Sequence, residues 1–299
     1  MDLGESSIGL VLRARSGFYD VETEAGMVQA QLRGRVRKDS HAIAIGDRVQ
    51  VRGTEGGKVM IESVQPRERV LSRRDPGREA EQVLIANPDQ AVFVFACADP
   101  DPNFRLMDRL LVMAESEAIP SIICANKIDL VKPNSAREEF GEYSDIGYPV
   151  FYTSATNGKG VKALRKQLKD KISVFAGPSG AGKSTLLNAL QPGLGLHTQE
   201  VSDVGLGAHT TVVRELLPLI GGGYVADTPG LRAFALWDIE PEELDGYMPD
   251  LAALVDRCEL NDCTHIHEPG CAILAAVEAG QISPERYYSY LRMREGDVN

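Results

Sequence analysis

The chain has 299 residues, of which 43% are hydrophobic and 25% charged, and it carries a formal net charge of −11 at pH 7. That length accommodates two or three domains with real cores, and the composition is that of a globular protein rather than a disordered or fibrous one. The acidic balance excludes nucleic-acid binding over the whole surface; the longest apolar run, Ala91 to Ala98, is too short to span a membrane, and the start Met1-Asp2-Leu3-Gly4-Glu5 lacks the basic and apolar stretches of a secretory signal, so no membrane partner and a cytoplasmic location are expected.

Up to about Arg69 the pattern is all-β. Ile8–Leu12, Met27–Leu32, Arg48–Arg52 and Lys58–Val64 alternate or carry β-formers, with Gly, Asp and Ser between them. Four or five such strands suit a barrel of the oligonucleotide-binding (OB) type over residues 1–69, although any small β-barrel fits nearly as well. Within it, Arg33, Arg35, Arg37 and Lys38 form a basic cluster: a solvated turn, or a local RNA-binding face. The charged stretch from Arg67 to Gln82, with Asp75-Pro76-Gly77, reads as a linker.

From about Val83 strands and helices alternate. Ala91–Cys97 reads as a buried strand, Phe104–Ala118 as a helix and Ile119–Ala125 as a second strand. Tyr148–Thr153 follows as a third strand, Gly160–Lys171 as a helix and Ile172–Ala176 as a fourth strand. This is the rhythm of a doubly wound α/β domain, expected over residues 70–237. Val212–Ile220 and Tyr224–Asp227, flanking Gly221-Gly222-Gly223, predict an antiparallel pair at one edge. After Asp238 the signals are helical, with Ser283-Pro284 as an N-cap followed by a first-turn proline.

Three motifs sit on this frame. Gly177-Pro178-Ser179-Gly180-Ala181-Gly182-Lys183-Ser184-Thr185 fits a phosphate-binding loop between a strand and a helix. Its glycines let backbone N–H groups turn onto phosphates, Lys183 offers a charge to the β- and γ-phosphates, and Ser184 offers a hydroxyl to Mg²⁺. Asn126-Lys127-Ile128-Asp129 reads as a guanine-recognition motif. Asp129 can accept from the guanine N1 and amino groups, Lys127 can cover the ring, and Asn126 can bond the base edge or tie the loop down. Ser154 and Ala155 end the next strand, where a backbone N–H can meet the guanine oxygen. Asp227-Thr228-Pro229-Gly230 follows, with Asp227 suited to Mg²⁺ and the Gly230 N–H to the γ-phosphate. Between them lies Gly207-Ala208-His209-Thr210-Thr211, a switch-loop candidate in which Thr210 or Thr211 supplies a metal-binding hydroxyl. Leu231 stands where many GTPases carry a water-orienting glutamine, which leaves His209 as the candidate catalytic residue beside Lys183, or else as an RNA contact. The order is unusual: the guanine motif precedes the phosphate loop, as in a circularly permuted GTPase domain.

Of five cysteines, Cys97 and Cys124 lie in apolar runs. Cys258, Cys263 and Cys271 cluster with His265, a spacing that suits a closed tetrahedral structural Zn²⁺ site in a helical domain at 238–299; His267 competes for the histidine position.

On these residues, with Glu268-Pro269-Gly270, the chain resembles the circularly permuted GTPases of the YjeQ/RsgA family over nearly its whole length. The resemblance implies an OB barrel, a P-loop GTPase core and a zinc-binding helical domain. It further implies binding to the small ribosomal subunit and its rRNA, with GTP hydrolysis stimulated by the subunit. It also assigns the switch-loop histidine, matched by His209, a catalytic role. The expected reading is a monomer that acts late in subunit assembly, with GTP hydrolysis timing its release. Two rival readings are an RNA-binding scaffold that holds GTP without turnover, and a P-loop kinase or ATPase, which Asp129 opposes.

Overall fold

The computed structural model describes residues 6–15, 17–32, 43–54, 56–74, 81–193, 215–227 and 239–296, with backbone alone at 73–74, 81–82 and 227. The first unit is a closed five-stranded barrel: β1 (Ser7–Arg15), β2 (Phe18–Thr23), β3 (Gly26–Leu32), β4 (Arg48–Gly53) and β5 (Val59–Val64), in the order β1-β2-β3-β5-β4. All pairings are antiparallel except β3 with β5, the OB arrangement. Alternation sends Val11, Val21, Ala30, Val49, Val51 and Ile61 into the barrel. β2, which drew no separate expectation, closes it.

A register shift in β1 between Val11 and Arg13 lets Val11 and Leu12 both be buried, on opposite sides. Val11 stays in the barrel, and Leu12 enters the core of the next domain. The barrel is docked there by the Leu216 N–H to the Leu12 carbonyl at 2.8 Å, by an Arg13–Glu215 ion pair and by a Tyr224–Glu22 hydrogen bond. On another side the Ala86 N–H reaches the Ile45 carbonyl at 2.8 Å. The stretch read as a linker, Arg67 to Gln82, holds β6 (Val70–Arg74) and the start of β7 (Glu81–Ala86), its antiparallel partner. Its charges hid a ribbon that carries the chain from barrel to core.

The central sheet has the order β10-β9-β8-β11-β13-β12. β8 (Gln90–Ala96), β9 (Ser121–Asn126), β10 (Val150–Tyr152), β11 (Ile172–Ala176) and β13 (Tyr224–Asp227) run parallel, and β12 (Leu217–Pro218) is antiparallel to β13, as the triple-glycine turn predicted. Both faces are covered, so the strands read as unbroken apolar runs. On one side Phe93, Phe95, Ile123 and Val174 pack against α1 (Phe104–Ser116) and α2 (Ser135–Ile146). On the other, Val92, Val94, Cys124 and Phe175 pack against α3 (Val161–Leu168) and α4 (Lys183–Leu190). α2 escaped the sequence reading because its charged stretch exposes only a short apolar stripe, with Ala136, Phe140 and Tyr143 buried.

The C-terminal lobe holds a 3₁₀ turn (Leu244–Tyr247), α5 (Pro249–Val255), α6 (Ala272–Glu278) and α7 (Pro284–Arg294). Ser283 caps α7 by accepting the Arg286 N–H at 3.1 Å, with Pro284 in the first turn. Its core includes Leu244, Met248, Leu251, Ile273 and Tyr290, together with Val112 of α1. Among the described residues no helix is long and apolar enough to cross a membrane.

Candidate nucleotide site and metal centre

Because five strands run parallel, their C-terminal ends share one edge of the sheet, the edge where open α/β sheets bind ligands. The guanine-type motif leaves β9, Ser154 and Ala155 follow β10, the phosphate loop leaves β11 and Asp227 ends β13. The permuted chain order therefore leaves the spatial set intact.

The phosphate loop is shaped by close packing. Gly177, at φ 144°, has no room for a side chain: a Cβ would sit 2.0 Å from the Val94 carbonyl oxygen. Gly182, at φ 84°, precedes α4, and a Cβ there would meet Asn126 Nδ2 at 2.6 Å. No side chain caps α4, so its first-turn N–H groups lie beside the loop, a ready anion site. Lys183 folds back, donating from Nζ to the Gly177 and Pro178 carbonyls, both at 2.8 Å. Ser184 and Thr185 are half-buried in the first turn of α4, Ala181 is buried, and Ser179 and Gly180 form the open rim.

The Asn126 side chain is buried and bonded at both ends within the protein. Its Nδ2 donates to the Ala181 carbonyl at 3.0 Å, and its Oδ1 accepts from Thr153 Oγ1 at 3.0 Å. It ties the guanine-type motif to the phosphate loop. Lys127 takes a left-handed conformation, φ 60°, and its ammonium bonds the Asp99 carbonyl. Asp129 is exposed, with Thr156 Oγ1 3.4 Å from its Oδ2. The Ser154 hydroxyl, aided by Thr156 and Lys127, holds its carboxyl below the usual range, so it stays an acceptor at neutral pH. His209, Thr210, Thr211 and Gly230 lie outside the described residues, as does the side chain of Asp227; so do Arg33, Arg35, Arg37 and Lys38.

In the C-terminal lobe Cys258, Cys263, His265 and Cys271 bring their ligand atoms within 4.8 Å of one another. His265 Nδ1 lies 3.6 Å from Cys258 Sγ and 3.4 Å from Cys271 Sγ. A tetrahedral Zn²⁺ at ordinary bond lengths holds such atoms about 3.5–3.8 Å apart, so the donor set and spacing fit zinc. His265 is buried, whereas His267 is exposed and outside the cluster. Burial raises the Cys263 thiol to about 12, with Cys271 and Cys258 pushing the same way; a bound dication is what lets such thiols ionise together.

Two features of this lobe had no signal in the spacing. Glu268 gathers the loop: its carboxylate accepts the N–H groups of Thr264 and Ile266 at 2.9 Å and of His267 at 3.1 Å, as well as the Thr264 hydroxyl. These bonds, the Thr264 hydroxyl first, hold its pKa far below the ordinary value. The second is a buried clamp to the GTPase-like domain. Arg286 of α7 donates to Asp108 of α1 at 2.6 Å and to Asp250 of α5 at 2.9 Å, and Tyr143 of α2 donates to the same Asp108 at 2.7 Å. Burial favours neutral Arg286, but Asp108 and Asp250 more than offset this and hold it charged. These partners are up to 178 residues apart, beyond any local pattern.

Comparison with known proteins agrees with this architecture. The model of the RsgA N-terminal domain matches residues 8–61, and that of RsgA GTPase matches residues 64–237. The chain is 44% identical over 298 residues to the small ribosomal subunit biogenesis GTPase RsgA of Gemmatimonas aurantiaca, covering 97% of each protein. Among solved structures, it superposes on YjeQ from Thermotoga maritima with a TM-score of 0.82 at 36% identity, covering 97% of this chain and 98% of that one. It superposes on YloQ, a circularly permuted GTPase, with a TM-score of 0.80 at 32% identity, covering 98% and 95%.

Proposed function

This chain belongs to the RsgA GTPase family, and on that premise we propose that it hydrolyses GTP while bound to the immature small ribosomal subunit and its rRNA, late in assembly, with hydrolysis timing its release. The carrying observation is the convergence of the phosphate loop, the Asp129 motif and Asp227 on one sheet edge, with Asn126 bonded directly to Ala181 of the phosphate loop.

GTP binds with its phosphates on the backbone N–H groups of Gly177–Ser184 and the α4 N-terminus, where Thr185 also lies. Lys183 exchanges its bonds to the Gly177 and Pro178 carbonyls for the β- and γ-phosphates. Asp129 accepts from guanine N1 and the amino group, Lys127 covers the ring, and the backbone at Ser154 and Ala155 meets the guanine oxygen. Ser184 and Thr210 or Thr211 would hold Mg²⁺, with Asp227 holding it through a water, and the ion would neutralise charge on the β- and γ-phosphates. His209 orients the attacking water, the Gly230 N–H holds the γ-phosphate, and GDP and phosphate leave.

Cys258, Cys263, His265 and Cys271 hold one structural Zn²⁺. RNA contacts fall to the barrel, through Arg33, Arg35, Arg37 and Lys38, and to the C-terminal lobe; the protein acts as a cytoplasmic monomer. In sequence that lobe follows the Asp227–Gly230 segment, so γ-phosphate loss has a covalent route to it.

The test is GTP turnover with and without isolated small subunits. Stimulation by the subunit, with tighter co-sedimentation in a non-hydrolysable GTP analogue than in GDP, is expected; equal turnover and equal co-sedimentation would remove the proposed timing. His209→Ala should leave GTP affinity intact and slow stimulated turnover, because water positioning acts in the transition state.

A further inference from the structure

Asp245 lies on the 3₁₀ turn Leu244–Tyr247, the first helical element described after β13. Its Oδ2 is 2.8 Å from His265 Nε2, and its Oδ1 accepts the Gly246 N–H at 2.8 Å. An ionised carboxylate can only accept, so Nε2 must carry the proton of this pair. In a neutral imidazole the lone pair then falls on Nδ1, the nitrogen that faces Cys258 Sγ and Cys271 Sγ.

We propose that Asp245 is the positioning residue of the metal centre: its carboxylate locks His265 in the tautomer and ring orientation that offer Nδ1 to a divalent cation shared with Cys258, Cys263 and Cys271. This rests on the reading of the cluster as a zinc site. Outer-sphere carboxylates of this kind fix a ligating histidine and raise its basicity.

The rest of His265 is held from another direction. Its backbone is left-handed, at φ 61°, and its carbonyl accepts the Tyr287 hydroxyl of α7 at 2.6 Å. The neighbouring Thr264 carbonyl accepts the Tyr290 hydroxyl at 2.9 Å. α7 thus sets the backbone, while Asp245 sets the ring. The turn bearing Asp245 is itself pinned by Leu244 and Met248, buried in one core with Val112 of α1. Through Asp245, this turn is joined to the side chain of His265.

The experiment uses the full-length chain loaded with zinc, and the variants Asp245→Asn and Asp245→Ala. Zinc per chain is measured by elemental analysis, zinc release by transfer to a chromogenic chelator, and the His265 tautomer by nitrogen-15 NMR. Wild type should hold one zinc, with Nδ1 metallated and Nε2 protonated. Asp245→Ala should release zinc about 10–100-fold faster. Asp245→Asn, which keeps an acceptor but loses the charge, should fall between them and keep a slowly exchanging Nε2 proton. Wild-type release from Asp245→Ala, an Asn variant no better than Ala, or a protonated Nδ1 in the zinc-loaded protein would each overturn the assignment while leaving the zinc reading intact. A wild-type protein that takes up no zinc would overturn both. If Asp245→Ala does not fold, the Asn variant and the wild-type tautomer decide.

Discussion

The nucleotide edge and the metal lobe achieve order by different means. At the nucleotide edge the motifs hang from parallel strands of a sheet packed on both faces, and Asn126 bonds one loop to the other at Ala181. The lobe has helices of 7, 7 and 11 residues, too short to hold by themselves. Specific side chains hold it instead: the cysteine–histidine cage, the Glu268 collar and the Arg286 clamp. Ligand binding should therefore be an addition to a finished fold at the first site, whereas metal binding is part of folding at the second.

The sharpest way to break this contrast is to withdraw the metal. Structural zinc in small peptides is worth about 10–16 kcal/mol of folding. Chelation, or Cys263→Ser, should open residues 249–296 to proteolysis while GTP binding persists. A lobe that stays protected without metal, or GTP binding lost together with it, would erase the distinction.

Next comes the clamp. Arg286→Ala leaves the buried Asp108 and the half-buried Asp250 without their cation and should cost about 3–5 kcal/mol in denaturant unfolding. Adding Asp108→Asn should recover part of that loss, since one stranded charge is gone. If the double variant is as unstable as the sum of the singles, the pair is not coupled.

At the nucleotide edge the effects should be smaller and confined to binding. Asp129→Asn should weaken GTP by about 1.5–3 kcal/mol and turn preference toward xanthine nucleotides, with unfolding unchanged. Unaltered GTP and XTP affinities would remove Asp129 from base recognition.

The smallest change tests the preformed tie. Thr153→Val keeps the shape but removes the donor to Asn126 Oδ1 and the hydroxyl beside Cys124 Sγ, at 3.0 and 3.2 Å. It should cost about 1 kcal/mol of stability and weaken GTP a few-fold. A full-strength GTP site in this variant would mean that Asn126 does not depend on Thr153.

Much of this was legible in the chain. The unbroken apolar runs at β8, β9 and β11 announced a sheet covered on both faces, and glycine spacing announced the phosphate loop. The cysteine spacing announced a cage. What escaped had weak or misleading local signals: β2, with one short alternation; α2, whose charged face outweighs its apolar stripe; and β6–β7, whose arginines and glutamates resemble a linker.

By itself the sequence determined the fold class, the identity and permuted order of the nucleotide motifs, and the three clustered cysteines of a metal-type site, because periodicity, backbone freedom and ligand spacing act over a few residues. Only the tertiary structure chose His265 over His267, turned Asn126 inward to Ala181, set Asp245 behind the histidine ring and joined Arg286 to Asp108. The last three pairings join residues 20 to 178 positions apart, and which groups meet at such range is decided by how buried faces pack and by the need of every buried polar group for a partner.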